Sequence, residues 1–378
     1  MTVYFDNAST TRIHDSVIDV MNETARGDWG NPSSSHALGR HAKKTLETAR
    51  KALAETLGAK ADEIFFTSGG TEADNWALFG AAELLRHGGR HLIISKTEHD
   101  AVLKPAARLQ SLGWSVTALA PDKTGRITAE AFSEALCEDT AFASVMLVNN
   151  ETGAVNPIAE MTGEIKRRGL KTLFHSDAVQ AFGKIPFSVK TLGVDLLSVS
   201  AHKIHGPRGI GALYVKKGLR LPPLFYGGGQ EGDRRSGTEP LPLIVGLSTA
   251  ARLAANDMNA AAAAARALYD RVVSKLHAAL PEAVILSPGD CPYILSLSLP
   301  GYKSEVLLNV LDGAGICVSK GSACKKGARS HVLEAMRLPN DVIDGALRIS
   351  FSRFSTADEA DYFVTALCAA AARLVKVK

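Results

Sequence analysis

Lys203 stands in the run Ser200-Ala201-His202-Lys203-Ile204-His205-Gly206-Pro207, a setting where a lysine could bond covalently to a carbonyl compound. The preceding Val194-Asp195-Leu196-Leu197-Ser198-Val199 reads as a buried strand, and Gly206-Pro207-Arg208-Gly209 argues against a helix afterwards. The lysine is then fixed at a strand end, partly desolvated and close to groups that bind an anion, as a Schiff-base lysine must be. On spacing alone the run also fits a surface lysine after an edge strand. Asp177 closes a second strand, Leu173-Phe174-His175-Ser176-Asp177, with Ala178-Val179-Gln180 turning away from it. An acid there suits a ribose, a metal, a protonated pyridine nitrogen or a simple strand-end cap.

Two further stretches carry chemistry. Phe65-Phe66-Thr67-Ser68-Gly69-Gly70-Thr71-Glu72 reads as a strand, a two-glycine turn and a helix start, which presents backbone N–H groups and a hydroxyl to a phosphate. It is neither a P-loop nor GxGxxG. Val318-Ser319-Lys320-Gly321-Ser322-Ala323-Cys324-Lys325-Lys326-Gly327 puts Cys324 in a small, polar, cationic segment, where Lys320, Lys325 and Lys326 should favour the thiolate. Gly321 and Gly327 would let that segment move. Cys317, in Gly315-Ile316-Cys317-Val318, reads instead as a small core residue.

Together these stretches resemble the cysteine desulfurases, a branch of the class V aminotransferases that uses pyridoxal 5'-phosphate. The resemblance runs from Tyr4-Phe5-Asp6-Asn7-Ala8-Ser9-Thr10-Thr11 to Arg348-Ile349-Ser350-Phe351-Ser352-Arg353-Phe354. Between them lie Gly30-Asn31-Pro32-Ser33-Ser34, Thr97-Glu98-His99, Asn149-Asn150-Glu151-Thr152-Gly153 and Arg235-Ser236-Gly237-Thr238.

The resemblance implies a role for each matching residue. Lys203 would carry the cofactor and move protons, Asp177 would face the ring nitrogen, and His99 would stack on the ring. Asn150 and Gln180 would contact the ring hydroxyl and its surroundings. Gly70, Thr71, Ser200 and His202 would hold the phosphate, with Thr238 reaching it from a second subunit of a homodimer. Arg348 would clamp the substrate carboxylate, with Asn7 and Asn31 lining the same pocket. Cys324 would take sulfur from L-cysteine as a persulfide, leaving L-alanine, and pass it to an acceptor protein serving iron–sulfur cluster assembly or tRNA thiolation. No intrinsic metal is implied, although Cys324 is a candidate shared iron–sulfur ligand with a scaffold partner. The segment after Cys324 departs from the family pattern: it is shorter and more basic, so the acceptor is not specified. A selenocysteine lyase or aminotransferase of the same class is the alternative, and a non-enzymatic cofactor-binding scaffold is a third. A nicotinamide dehydrogenase lacks support, since no GxGxxG opens a βαβ unit.

The elements that must position these residues follow from hydrophobic patterning. Candidate strands are 63–67, 91–95, 115–120, 143–149, 172–177, 196–200 and 211–215, mostly separated by helical patterns. That predicts an α/β chain with a mainly parallel seven-stranded sheet, the fold type I arrangement of pyridoxal phosphate transferases. His99, Asn150, Asp177, Gln180 and Lys203 fall at or just after strand ends, where open α/β sheets bind ligands. The alanine-rich stretch 243–280 predicts one long connecting helix. Strands at 294–299 and 347–351, with helices at 304–311 and 356–375, predict a smaller α+β domain. The resemblance implies that the N-terminal segment joins it, so the expected division is 15–250 for the large cofactor-binding domain, with 1–14 and 251–378 forming the small domain that carries the Cys324 loop.

Composition agrees. A chain of 378 residues, 46% hydrophobic and 22% charged, suits two domains with substantial cores. A net charge of +4 is too small and dispersed to argue for nucleic-acid binding. Five cysteines without CxxC spacing predict free thiols in a reducing cytoplasm. No signal peptide or membrane-spanning run is evident.

Overall fold

The computed structural model describes residues 2–320 and 329–376. A two-residue strand β1 (Val3–Tyr4) precedes the seven strands of the main sheet: β2 (Ile64–Thr67), β3 (His91–Ser95), β4 (Ser115–Leu119), β5 (Thr140–Ser144), β6 (Leu173–Asp177), β7 (Leu196–Ser200) and β8 (Gly211–Val215). Their order across the sheet is β2-β8-β7-β6-β5-β3-β4. The pairings from β7 to β4 are parallel, while β8 runs antiparallel to both β7 and β2. Two reversals leave β2 running in the direction of β7, so the turn after β2 opens on the same edge as the ends of β6 and β7.

Both faces of the sheet are covered, which explains why strands carry apolar residues at consecutive positions, Leu92-Ile93-Ile94 in β3 and Leu196-Leu197 in β7, rather than alternating. Ile93, Phe174, Leu197 and Val199 pack with Val17, Leu46, Leu53, Ile244 and Leu247 from helices 15–27, 37–57 and 241–256. Leu92, Phe142, Leu196 and Leu213 point the other way, against Trp76, Ala77 and Val102 from helices 70–84 and 100–111.

A second sheet stands outside this sandwich. Strands β9 (Val284–Ile285), β10 (Ile294–Ser298), β11 (Ile316–Cys317) and β12 (Ala346–Ser350) complete the set, with β12-β10-β9 antiparallel. β1 pairs in parallel with β11, and Asp6 bridges Ser350, so the N-terminal segment joins C-terminal strands. Phe5 seals that contact edge-on to Phe351 and Phe363, with ring centroids 5.2 and 6.1 Å apart.

Three elements depart from the patterning. The expected helix over 243–280 is two helices, Leu241–Asn256 and Met258–Ala279, broken at Asp257. The break falls at Asn256-Asp257, two weak helix formers within the alanine-rich run. The strand expected at 143–149 lies at Thr140–Ser144. Beyond it, Val145 and Leu147 still donate to the His175 and Asp177 carbonyls, and then Asn149 ends the run. Its Oδ1 accepts from the backbone N–H groups of Glu151 and Thr152, both at 2.9 Å, and this turn fixes where Asn150 sits. Cys317 is half-buried on β11 rather than in the core.

A buried ion pair anchors β2 and so the turn that follows it. Arg50 donates from Nη1 and Nη2 to the two carboxylate oxygens of Glu231 at 2.6 and 2.8 Å, and Nη1 also reaches the Ile64 carbonyl. Glu231 Oε2 in turn accepts from the Phe66 backbone N–H at 2.9 Å. Removing Glu231 would leave the buried guanidinium with only the exposed Glu47 at 3.6 Å, so Glu231→Ala should cost about 3 kcal/mol. Chemical denaturation checks this, and an unchanged midpoint would contradict it.

Candidate active site

The ends of β6 and β7, the turn after β2 and the segment after β3 converge on one cavity of roughly 330 Å³. Lys203 closes a single 3₁₀ turn, Ala201–Lys203, immediately after β7. Its Nζ donates to the carbonyls of Ala8 and Ser9, both at 2.7 Å. Burial, then the charges of Lys184 and Arg348, lower its pKa to about 7, against the opposing pull of Asp177 and Asp6. About half of such a group is neutral amine at pH 7, against roughly one part in a few thousand for an ordinary lysine. In the cofactor-free chain, acylation of Lys203 should therefore follow a midpoint near pH 7, read by peptide mass spectrometry over a pH series. A midpoint near that of surface lysines would contradict the assignment.

Asp177, at the end of β6, is 5% exposed and accepts from the Val179 backbone N–H at 2.8 Å. Burial raises its pKa, while His99 and Lys203 act against that rise. A cation in the cavity would therefore be needed to hold the carboxylate charged. His99 caps the helix Asp100–Ser111, with Nδ1 accepting from the Ala101 N–H at 3.1 Å. Since a backbone N–H can only donate, Nε2 carries the proton in the neutral ring.

Below this floor His175 lies wholly buried, with Ser144 Oγ 2.8 Å from Nδ1 and Ser198 Oγ 2.9 Å from Nε2. Burial lowers its pKa to about 3, so the imidazole is neutral. Asp74 also lines the cavity, and burial beside Asp177 raises its pKa well above the carboxylate range.

Gly70, Thr71, Ser200 and His202 all line the cavity, and Gly70 and Thr71 open the helix Gly70–Leu84. A Cβ on Gly70 would come 2.8 Å from Val179 Cγ2, so a side chain there would have to displace Val179. His202 Nδ1 lies 3.2 Å from Thr10 Oγ1, and burial together with Lys203 lowers its pKa to about 4. Asn150 and Gln180 line the cavity as well.

Arg348, on β12, enters from the second sheet and is 3% exposed. Nη2 donates to Asp6 Oδ1 at 2.9 Å and Ser9 Oγ at 2.7 Å, and Nη1 donates to the Asn150 carbonyl at 2.9 Å. Its Nε has no partner among the described residues.

Not every expected residue arrives. Asn7 is buried with its amide donating to the Tyr4 and Ser350 carbonyls, and it does not line this cavity. Asn31 accepts from the Ser33 N–H in an exposed loop, and Thr238 is exposed; both lie off the cavity. Cys324, Lys325 and Lys326 lie outside the described residues. Lys320 is described, and its Nζ pairs with Glu305 at 2.6 Å, which offsets the charge it could lend to a neighbouring thiol.

Glu151 and His331 were missed, although both sit inside runs with recognisable composition. Glu151 accepts from Ser330 Oγ, and His331 Nε2 lies 3.0 Å from the Glu98 carbonyl, so two contacts fasten the chain just after the Cys324 segment to the cavity wall. The carbonyls of Ala8 and Ser9, which receive Lys203, carry no side-chain signal at all.

The aminotransferase class-V family signature matches residues 3–363. A cysteine desulfurase IscS from Methanosarcina thermophila is 40% identical over 363 residues, covering 95% of this chain and 89% of that protein. A putative cysteine desulfurase IscS 1 from Bacillus subtilis is 42% identical over 363 residues, covering 94% and 95%. A solved NifS-like protein superposes with a TM-score of 0.94 at 39% identity, covering 99% of this chain and 100% of that one.

Proposed function

The chain belongs to the class V aminotransferase family, in its cysteine desulfurase branch, and we propose that it converts L-cysteine to L-alanine with pyridoxal 5'-phosphate, moving the sulfur onto Cys324. The observation that carries this is Lys203 Nζ, held at a strand end by two backbone carbonyls and sharing one cavity with Asp177, His99 and Arg348.

The residues fit that cofactor. The cavity is in the size range of small-ligand sites. A helix start at Gly70 offers N–H groups to a phosphate, with Thr71, Ser200 and His202 lining the same cavity. The buried Asp177 needs a cation, which a protonated ring nitrogen provides. When bound, pyridoxal phosphate supplies a carbonyl that condenses with amines and a ring that withdraws electrons from Cα.

The chain's own residues do the rest. Lys203 Nζ would hold the cofactor, and it is the base placed to take the proton from substrate Cα. Asp177 would hold a protonated ring nitrogen, and His99, on the cavity wall, would cover the ring. Arg348 would receive the substrate carboxylate through the two N–H donors that Asp6, Ser9 and Asn150 leave unused, Nε and one on Nη1. The Cys324 thiolate attacks the substrate sulfur: its S–S bond forms as the substrate C–S bond breaks. The enzyme then holds a persulfide, and the three-carbon fragment leaves as alanine after protonation.

The same reading includes a large domain over 15–250 and a small one from 1–14 and 251–378. It also includes a homodimer in which Thr238 reaches the partner's phosphate site, a protein acceptor for the sulfur, and a cytoplasmic setting. Four free cysteines among the described residues support a reducing compartment. No described helix is long and apolar enough to cross a membrane, and no described cluster of side chains is arranged to hold a metal. With L-cysteine and an excess of thiol reductant, the purified holoenzyme should release alanine and sulfide in equal amounts. Pyruvate in place of alanine, or no sulfide, would refute the reading.

A further inference from the structure

Behind Gln180, outside the cavity's lining, Lys184 is buried to 7% exposure. Its Nζ donates to Gln180 Oε1 at 2.7 Å, and among the described residues no carboxylate pairs with it. A buried ammonium without a counter-ion is costly, so its retention calls for a purpose.

The hydrogen bonds supply one. An ammonium can only donate, so Oε1 is fixed as the accepting end of the Gln180 amide. The other end, Nε2, donates at 2.8 Å to the Ala8 carbonyl, which can only accept. Ala8 O also receives Lys203 Nζ at 2.7 Å. Lys184, Gln180, the Ala8 carbonyl and Lys203 thus form one continuous chain, and the remaining Nε2 hydrogen is what Gln180 can offer a ligand.

Charge acts along the same path. Other groups that feel Lys184 are Cys291 and Arg348, with His202 and His205 on the Lys203 side. Asp177 and Asp6 face Lys203 with the opposite sign. Burial lowers the pKa of Lys184 itself to about 8, so it is mostly charged at neutral pH.

We propose that Lys184 is a positioning residue for the cofactor site: its ammonium holds Gln180 as a hydrogen-bond donor toward the cavity, and its positive charge opposes a second positive charge on Lys203. This rests on the reading of Lys203 as the cofactor lysine. It predicts that losing the Lys184 charge makes the lysine-bound cofactor easier to protonate.

The test is a spectroscopic pH titration of purified holoenzyme, following the visible band that depends on Lys203. Lys184→Met should move its midpoint upward by about one pH unit, and Lys184→Arg should return it toward wild type. Lys184→Gln keeps an N–H for Gln180 Oε1 without the charge, so its midpoint should rise equally while cofactor affinity stays closer to wild type than in Lys184→Met. This variant also stands in if the methionine protein folds poorly. Wild-type or lower midpoints in both neutral variants would overturn the proposal. A band that survives Lys203→Ala would instead overturn the reading on which it rests.

Discussion

Lys203→Ala should abolish covalent attachment of the cofactor and reduce alanine formation from L-cysteine by at least about 10⁴-fold, because one amine both tethers the cofactor and moves the protons. The expectation comes from geometry before kinetics. Nζ sits at a strand end, held by two backbone carbonyls at 2.7 Å, and burial with Lys184 and Arg348 nearby lowers its pKa to about 7. Borohydride reduction followed by peptide mapping reads the result directly. Wild-type protein should carry the label on the peptide containing Lys203, and the variant should carry none. A label of equal intensity on another lysine would end the assignment.

Cys324→Ser should divide the reaction into two halves. The variant should bind cofactor as wild type does and change its absorbance when L-cysteine is added, since Lys203, Asp177 and Arg348 are untouched. It should form no transferable persulfide, because a serine hydroxyl is not ionised near neutral pH and makes a poor nucleophile toward sulfur. Sulfide release in the presence of a thiol reductant should fall by about 10³-fold or more. Measured side by side, absorbance and sulfide separate the two roles. Undiminished alanine and sulfide production by the variant would make Cys324 a bystander.

The main sheet was legible because its strands are short apolar runs bounded by turn residues, and their carboxyl ends carry the polar groups. Lys203, Asp177 and Gly70 could be read for the same reason: each interrupts a pattern at a strand or helix end. Harder to read was anything that depends on packing between distant segments. Arg348 meets Asp6 across more than three hundred residues through the pairing of the N-terminal segment with C-terminal strands, which no local period reveals. Asn7 has the right side chain for a pocket, yet its amide is consumed by the Tyr4 and Ser350 carbonyls. Lys184 follows Gln180 by one turn and looks like an ordinary surface lysine until its burial is known. The interrupted helix at Asp257 was missed because alanine on both sides masks two residues that favour ending a helix.

The most direct test of the central claim is a single turnover without reductant. Holoenzyme is mixed with one equivalent of L-cysteine per site, quenched, and divided between amino-acid analysis and intact mass of the peptide containing Cys324. Desulfuration with Cys324 as acceptor predicts that alanine and a one-sulfur mass gain on that peptide appear together, in equal amounts and at the same rate. Alanine without the added sulfur on Cys324, or added sulfur without alanine, would contradict it.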